Sequence, residues 1–146
     1  MVGQQLSISK KAYSIREATL LDVDGILKLT KEFSEEAEAP DVYNEAQVRK
    51  IFSAYIPDQD GVCLCMLDGR EVVGVIFGIM QQHTYNPELC VLAEMVWFVT
   101  EEHRNTTASI RLFKEFEKAG VSLGAKQIYM TLRSGVNSEV VEGLYG

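Results

Sequence analysis

The hydrophobic positions in the first third of the chain predict one short strand followed by two helices. The stretch AYSIREAT (12–19) alternates between apolar and polar residues, which is typical of a strand. Apolar residues then recur at helical spacing over 26–33, and we expect Asp22 to cap this first helix. A polar loop separates it from a second amphipathic helix, which the pattern predicts from about Glu45 to Tyr55.

The middle of the chain is a succession of apolar runs that predict strands. VCLCML (62–67) and REVVGVIFGIMQQ (70–82) are joined through Asp68 and Gly69. Asp-Gly between two apolar runs is the strongest short signal for a β-hairpin. A polar loop then leads to LCVLAEMVWFVT (89–100), which predicts a third strand in this run.

The last third predicts a helix and a further strand. The polar start of EEHRNTTASIRLF (101–113) opens into a helix that we expect to end near Ala119. QIYMTLR (127–133) predicts a strand, and a helical connection should make it parallel to the strand before the helix. The order βααβββαβ predicts one α/β (α+β) domain over 1–146, with a mixed, mostly antiparallel sheet flanked by helices.

Composition and charge narrow the classes of function. The chain has 146 residues, of which 47% are hydrophobic, so a single domain with a real core is expected. Its 14 Lys and Arg against 21 Asp and Glu give a net charge of -7 and no basic stripe, which argues against nucleic-acid binding. No apolar run is long enough to cross a membrane. We therefore expect a cytoplasmic protein without a membrane or nucleic-acid partner.

The three cysteines do not form a recognisable disulfide or metal pattern. Cys63 and Cys65 lie two apart in a predicted strand, which puts them about 7 Å apart on one face. With Cys90, we expect all three to be reduced, small apolar residues. A zinc site would need His83 or His103 to converge on the pair, and the spacing matches no zinc module, so no metal is expected.

The polar turn at 101–109 raises a functional question. A strand, a tight turn and a helix N-terminus form the usual arrangement for binding a phosphate, but such turns are normally rich in glycine. This turn contains none. Asn tolerates left-handed geometry, and Thr can cap a helix or donate a hydroxyl to phosphate. The turn itself leaves two interpretations open: a phosphate cradle built from capping residues, or an ordinary helix cap.

Three stretches of sequence, together with the element order, resemble the GNAT superfamily of acetyl-CoA-dependent N-acetyltransferases. They are YSIREATLLDVDGI (13–26), GREVVGVIFG (69–78) and AEMVWFVTEEHRNTTASIRLF (93–113). The third is similar to the family's cofactor motif, which consists of a strand, an Arg/Gln-x-x-Gly-x-Gly/Ala turn and a helix. NSEVVEGLY (137–145) resembles the family's late helix, which ends in Leu-Tyr.

The resemblance implies a binding site for acetyl-CoA, the co-substrate. Arg104 matches the first position of the motif, and Thr107 and Ser109 stand where the glycines are expected. The residues implied in pyrophosphate binding are Arg104, Asn105, Thr106, Thr107, Ala108 and Ser109. In the family, the strand before this turn also pairs its backbone with the pantetheine arm. That role would fall to the backbone of Trp97, Phe98 and Val99, while simple core packing is the better explanation of the two aromatic side chains.

The resemblance also implies two catalytic residues. Glu94 is a carboxylate inside an apolar strand, where the family commonly places a general base, and burial would raise its pKa towards the useful range. The alternative is an ion pair with a neighbouring strand, for example with Arg133. Tyr145 matches the late-helix Tyr that protonates the departing thiolate of CoA. Its alternative role is an aromatic residue packed against the sheet.

The implied activity is transfer of an acetyl group from acetyl-CoA to a primary amine of a small molecule or peptide, by direct attack in a ternary complex. A catalytically inactive CoA-binding or protein-interaction module of the same fold is the alternative. In the family, a last pair of strands follows the Leu-Tyr helix, whereas this sequence stops at Gly146. We therefore expect the final hairpin to be missing, and the open edge near 127–133 to support a homodimer.

Overall fold

The computed structural model describes residues 12–37, 42–104 and 106–130. The strands are β1 (Ser14–Glu17), β2 (Gly61–Asp68), β3 (Glu71–Gln82), β4 (Cys90–Val99) and β5 (Ala125–Tyr129). The helices are α1 (Val23–Glu36), α2 (Glu45–Tyr55) and α3 (Thr107–Ser122), with short 3-10 turns at Leu20–Asp22 and Glu101–His103. This is the predicted order βααβββαβ.

The five strands form one sheet in the order in which they occur along the chain. β1 to β4 pair antiparallel, and β5 pairs parallel to β4 after the α3 crossover, as predicted. The β2–β3 hairpin turns at Gly69, whose φ of 64° lies in the left-handed region that glycine adopts without steric cost. The mixed, mostly antiparallel sheet with flanking helices is confirmed.

The hydrophobic core has two layers, one on each face of the sheet. Alternation along β2 directs Val62, Leu64 and Met66 towards one face, where they pack with Leu112, Phe113 and Phe116 of α3. The intervening residues Cys63, Cys65 and Leu67 pack on the opposite face with side chains of α1 and α2, including Ile26, Leu29 and Phe52. The helical periodicity in the sequence therefore identified the buried faces of all three helices.

A β-bulge interrupts the pairing of β3 and β4. Phe77 pairs with Val96 and Gly78 pairs with Glu94, so Met95 is an extra residue in β4. Met95 is 44% exposed, whereas the strand on either side of it is largely buried. The bulge lies directly after the predicted catalytic residue Glu94.

One local prediction was wrong. Asp22 does not cap α1 through its side chain, because Arg16 and the backbone N–H of Thr19 already bind its carboxylate. Thr19 instead caps the preceding 3-10 turn, with Asp22 as the reciprocal member of the capping box. All three cysteines are free; Cys63 and Cys65 are buried, and Cys90, at the start of β4, is exposed.

Several predictions concern residues outside the described ranges. They include the roles of Asn105 and Tyr145, the proposed pair between Glu94 and Arg133, and the missing final hairpin with its open edge at 131–133.

Candidate functional site

The turn between β4 and α3 is built by local capping. β4 ends at Val99, and the 3-10 turn Glu101–His103 follows, with the N–H of His103 donating to the carbonyl of Thr100. Thr106 is the N-cap of α3: it is extended, and its hydroxyl accepts a hydrogen bond from the N–H of Ser109 at 3.2 Å. The strand–turn–helix arrangement predicted from the sequence is therefore present.

The first turn of α3 contains two backbone N–H groups without an intrahelical partner. The N–H groups of Thr107 and Ala108 have no acceptor among the described residues, as expected in the first turn of a helix. Thr107 is exposed, and α3 is 16 residues long, so its dipole adds partial positive charge at this point. These two groups can bind an anion such as a phosphate.

Ser109 does not contribute in the way that the sequence predicted. Its N–H is bound by the hydroxyl of Thr106, and its side chain is only 2% exposed. The third position within the helix turns this side chain towards the core, beside the buried Ala108. The usable donors are thus Thr107 and Ala108, while Thr106 and Ser109 shape the turn.

Contacts within the protein hold the side chain of Arg104 in place. Its Nε donates to the carbonyl of Val99 at 2.7 Å, and its Nη2 forms an ion pair with Glu36 at the end of α1. The guanidinium also lies over the ring of Phe98, with its carbon 5.2 Å from the ring centroid. No local pattern in the sequence indicated the partner Glu36, which is 68 residues away.

His103 binds the turn to Tyr13, the residue before β1. Its Nδ1 is 2.8 Å from the hydroxyl of Tyr13, and the two rings meet edge to face. Arg111 of α3 donates to the carbonyl of Tyr13 at 3.1 Å. The residue just before β1 is therefore bound both to the turn and to the helix that follows it, which limits the movement of the turn.

Trp97, Phe98 and Val99 are all buried at the end of β4. Trp97 stacks on Phe113 of α3, with ring centroids 5.4 Å apart, while Phe98 packs against Phe33 of α1. Their side chains thus pack into the two core layers. Any contact with a pantetheine arm would be made by the backbone.

Glu94 is 4% exposed and lies opposite Gly78, on a part of the sheet that α3 covers. The absence of a Cβ at Gly78 allows the ring of Phe116 to come close to the backbone there. A buried carboxylate at a bulge is an unusual feature, because burial of a charge is costly.

The cysteine thiols of β2 are poor nucleophiles. Burial raises the pKa of Cys63 far above its usual range and raises that of Cys65 to about 12. Among the described residues, no group of three or more His, Cys, Asp or Glu side chains is arranged to hold a metal ion. Within the same ranges, every helix is too short or too polar to cross a bilayer.

A separate cleft of about 960 Å³ lies between α1, the β2–β3 turn and the 3-10 turn after β4. It contains two basic residues, Lys28 and Arg70, and six acidic residues: Asp22, Glu32, Glu36, Glu71, Glu101 and Glu102. Burial, and then the neighbouring Glu36, raise the pKa of Glu32. Thr100, which lines this cleft directly after the end of β4, is placed about 20 Å from Glu94 by the rise of a strand.

The acidic end of α1, with the loop that follows it, corresponds by the family resemblance to the loop that faces the acceptor amine, and an ordinary solvated loop is the alternative interpretation. Of its members, Glu35 is exposed and Glu36 binds Arg104. Tyr43 binds α1, because its hydroxyl lies 2.9 Å from that of Thr30 and donates to the carbonyl of Leu27. Glu38 lies outside the described ranges. The described part of this segment is therefore bound to α1 through Tyr43 and to the turn between β4 and α3 through Glu36.

This chain is similar to known proteins in its structure rather than in its sequence. No protein-family model and no curated protein matches the sequence. The structure, in contrast, superposes on many solved proteins over nearly its full length. A possible acetyltransferase from Clostridium difficile 630 matches with a TM-score of 0.75 at 18% identity, covering 92% of this chain and 90% of the other.

Two further structures with this fold are described as proteins of different function. A GNAT family acetyltransferase from Staphylococcus aureus subsp. aureus USA300_TCH1516 has a TM-score of 0.65 at 17% identity, covering 87% of this chain and 90% of the other. A transcriptional regulator from Bacillus halodurans C-125 has a TM-score of 0.76 at 13% identity, covering 92% of each chain. By its architecture, as the resemblance in the sequence implied, the chain has the fold of the GNAT superfamily of acetyltransferases.

Proposed function

We propose that this chain transfers the acetyl group of acetyl-CoA to a primary amine of a small molecule or peptide. The observation that best supports the proposal is the pair of available N–H groups, of Thr107 and Ala108, at the first turn of α3 within a GNAT fold. They lie at the end of the turn that follows β4, where a phosphate group would meet both the donors and the helix dipole.

In the proposal, the turn binds a pyrophosphate without glycine, because capping by Thr106 directs the first N–H groups of α3 out of the helix. Thr106 adopts extended geometry, which any residue tolerates, and the side chain of Thr107 is exposed. The pyrophosphate of acetyl-CoA would be held by these backbone donors. Asn105 completes the segment in the proposal.

In the proposed reaction, acetyl-CoA supplies the thioester, and the amine attacks its carbonyl carbon directly in a ternary complex. Glu94 accepts a proton from the ammonium group, which frees the lone pair for attack. A backbone N–H of β4 donates to the carbonyl oxygen as negative charge develops on it. Tyr145 returns a proton to the sulfur of the leaving thiolate.

The burial and protonation of Cys63 and Cys65 support direct attack by the amine over a route through an acylated cysteine. A cysteine nucleophile must be a thiolate near neutral pH, whereas Cys63 and Cys65 are buried with strongly raised pKa values. Both also face the layer formed by α1 and α2, on the side of the sheet away from α3.

A non-catalytic module that binds CoA, or another protein, is the second candidate. It is favoured by the two side chains, Thr107 and Ser109, that replace the expected glycines, and by the structural neighbour described as a transcriptional regulator. Such a module would retain the fold of the turn without requiring Glu94 to exchange protons.

Two measurements on the parent protein separate these candidates. Acetyl-CoA should raise the melting temperature in proportion to ln(1 + [L]/Kd), and thiol release should accompany acetylation in a panel of primary amines. Stabilisation without turnover would favour the non-catalytic module. The absence of stabilisation at millimolar acetyl-CoA would refute the cofactor site itself.

We also propose a cytoplasmic homodimer, because the free thiols suit a reducing compartment and β5 pairs with β4 on one side within the described residues. Light scattering should give twice the monomer mass. Tyr129→Lys, at an exposed position on β5, should lower that mass towards the monomer. Leu21→Lys, at an exposed position beside α1, is the matched control; an unaltered dimer in both variants would place the interface elsewhere.

A further inference from the structure

The contacts of Arg104 join three parts of the molecule. Val99 belongs to β4, Glu36 is the last residue of α1, and Arg104 itself begins the turn towards α3. The side chains of Arg104 and Glu36 are only 17% and 31% exposed, so solvent screens this pair less than it would screen a surface pair.

Three groups of the protein contact the guanidinium. Its Nε binds the carbonyl of Val99, its Nη2 binds Glu36, and its face covers the ring of Phe98. The planar fork of Arg can satisfy these partners at once, which the single ammonium group of Lys cannot do. Bidentate binding of a phosphate through Nε and Nη2 would require Arg104 to leave Val99 and Glu36.

We infer that Arg104 and Glu36 are positioning residues, which fix the turn so that the N–H groups of Thr107 and Ala108 face the pyrophosphate. The inference rests on the proposed function for the identity of the ligand. Arg104 is only two residues before the cap Thr106, so its anchorage sets the direction in which the chain enters α3. Glu36 thereby affects the cofactor site without touching the cofactor.

This interpretation and direct phosphate binding by Arg104 predict opposite effects of Glu36→Gln. If the guanidinium binds phosphate, removal of Glu36 frees it and also removes a nearby negative charge, so CoA should bind more tightly. If the pair positions the turn, the same substitution should weaken CoA binding, despite the more favourable charge.

The experiment measures the Kd for CoA by calorimetry in four variants. Glu36→Gln should raise Kd by about fivefold or more, within the range of typical coupling energies. Glu35→Gln is the matched control, because it removes the same charge from the exposed neighbouring residue and should leave Kd unchanged or slightly lower. Arg104→Gln should also raise Kd, and adding Glu36→Gln to it should have no further effect.

A second measurement does not require any ligand. Amide hydrogen exchange at Thr106 to Ser109 in the free protein should be faster in Glu36→Gln than in the parent, and unchanged in Glu35→Gln. If the parent fails to bind CoA, the proposed function is lost, while exchange still decides whether the pair orders the turn. Unchanged exchange in Glu36→Gln, or tighter CoA binding in that variant, would overturn the inference.

Discussion

Gly78 of β3 lies directly opposite Glu94 of β4, and the space beside it is already filled. A Cβ at this position would lie 2.5 Å from Cζ of Phe116 and 2.8 Å from the carbonyl oxygen of Ala93. The proposed base therefore lies where β3, the bulge of β4 and helix α3 meet, and the missing side chain of Gly78 allows that close approach.

Gly78→Ala should destabilise the protein by about 1–3 kcal/mol, because an added methyl group overpacks a tight core site. The free energy of unfolding in urea is the measurement. Phe116→Leu shortens the side chain that causes the closest contact, so the cost of Gly78→Ala should be smaller in that background. An equal cost in both backgrounds would assign the effect to the carbonyl of Ala93 instead.

Thr107→Glu tests whether the turn between β4 and α3 binds the pyrophosphate of acetyl-CoA. A carboxylate at the first position of α3 should preserve the fold, because it interacts favourably with the helix dipole. The same charge should repel a pyrophosphate and abolish the thermal shift caused by acetyl-CoA. Thr107→Gln has a similar size without the charge and should keep most of the shift. A full shift in Thr107→Glu would exclude this turn as the phosphate site.

Glu94→Gln tests the general base. The substitution retains shape and removes basicity, so the acetylation rate should fall by about 100-fold or more at neutral pH. The loss should be smaller at high pH, where the amine is already unprotonated. The Kd for CoA should hardly change. Glu88→Gln, in the exposed loop before β4, is a charge-matched control. A pH–rate profile like that of the parent would assign Glu94 a structural role.

Asp22→Asn tests the capping box and its ion pair. The carboxylate accepts two hydrogen bonds from Arg16, at 2.7 and 2.9 Å, and one from the N–H of Thr19. Asn can retain one acceptor but not the charge, so we expect a loss of about 1–3 kcal/mol at pH 7. Asp24→Asn breaks a more exposed pair with Arg49 and should cost much less.

The contribution of Asp22 to the free energy of unfolding should decrease as the pH falls. The hydrogen bonds from Arg16, followed by those from Thr19, lower the pKa of Asp22 in the folded state. Its contribution is therefore complete above the unfolded pKa of about 3.9 and is lost as the pH falls through the lower, folded value. The difference in free energy of unfolding between the parent and Asp22→Asn should therefore begin to shrink below about pH 4. A constant difference down to pH 2 would contradict this assignment.

Local patterns in the sequence predicted much of the fold. Period-2 and helical spacings located the strands and helices, because each element exposes one face to the core and another to solvent. Asp68-Gly69 predicted the hairpin, and the helical crossover predicted that β5 is parallel to β4. The bounds of α2 agree with the structure at both ends, where Asn44 supplies a local cap.

The predicted site depended in part on long-range contacts that no local pattern contains. Arg104 matches a motif by its neighbours in the sequence, but its partner Glu36 comes from α1. Ser109 was expected to bind a ligand, yet the helical turn directs its side chain into the core, and Thr106 binds its N–H. Asp22 is suitable as a helix cap by sequence, but Arg16 brings it into an ion pair.

The sequence by itself determined which segments form helices and strands, because those preferences depend on backbone sterics and on the periodic burial of nearby side chains. It also determined that a polar turn would connect β4 to the N-terminus of α3. Only the tertiary structure decided which groups of that turn remain available. Packing assigns Arg104 to Glu36 and Val99, turns Ser109 inward and leaves the N–H groups of Thr107 and Ala108 available, because hydrogen bonds form between whichever groups the fold brings within about 3 Å.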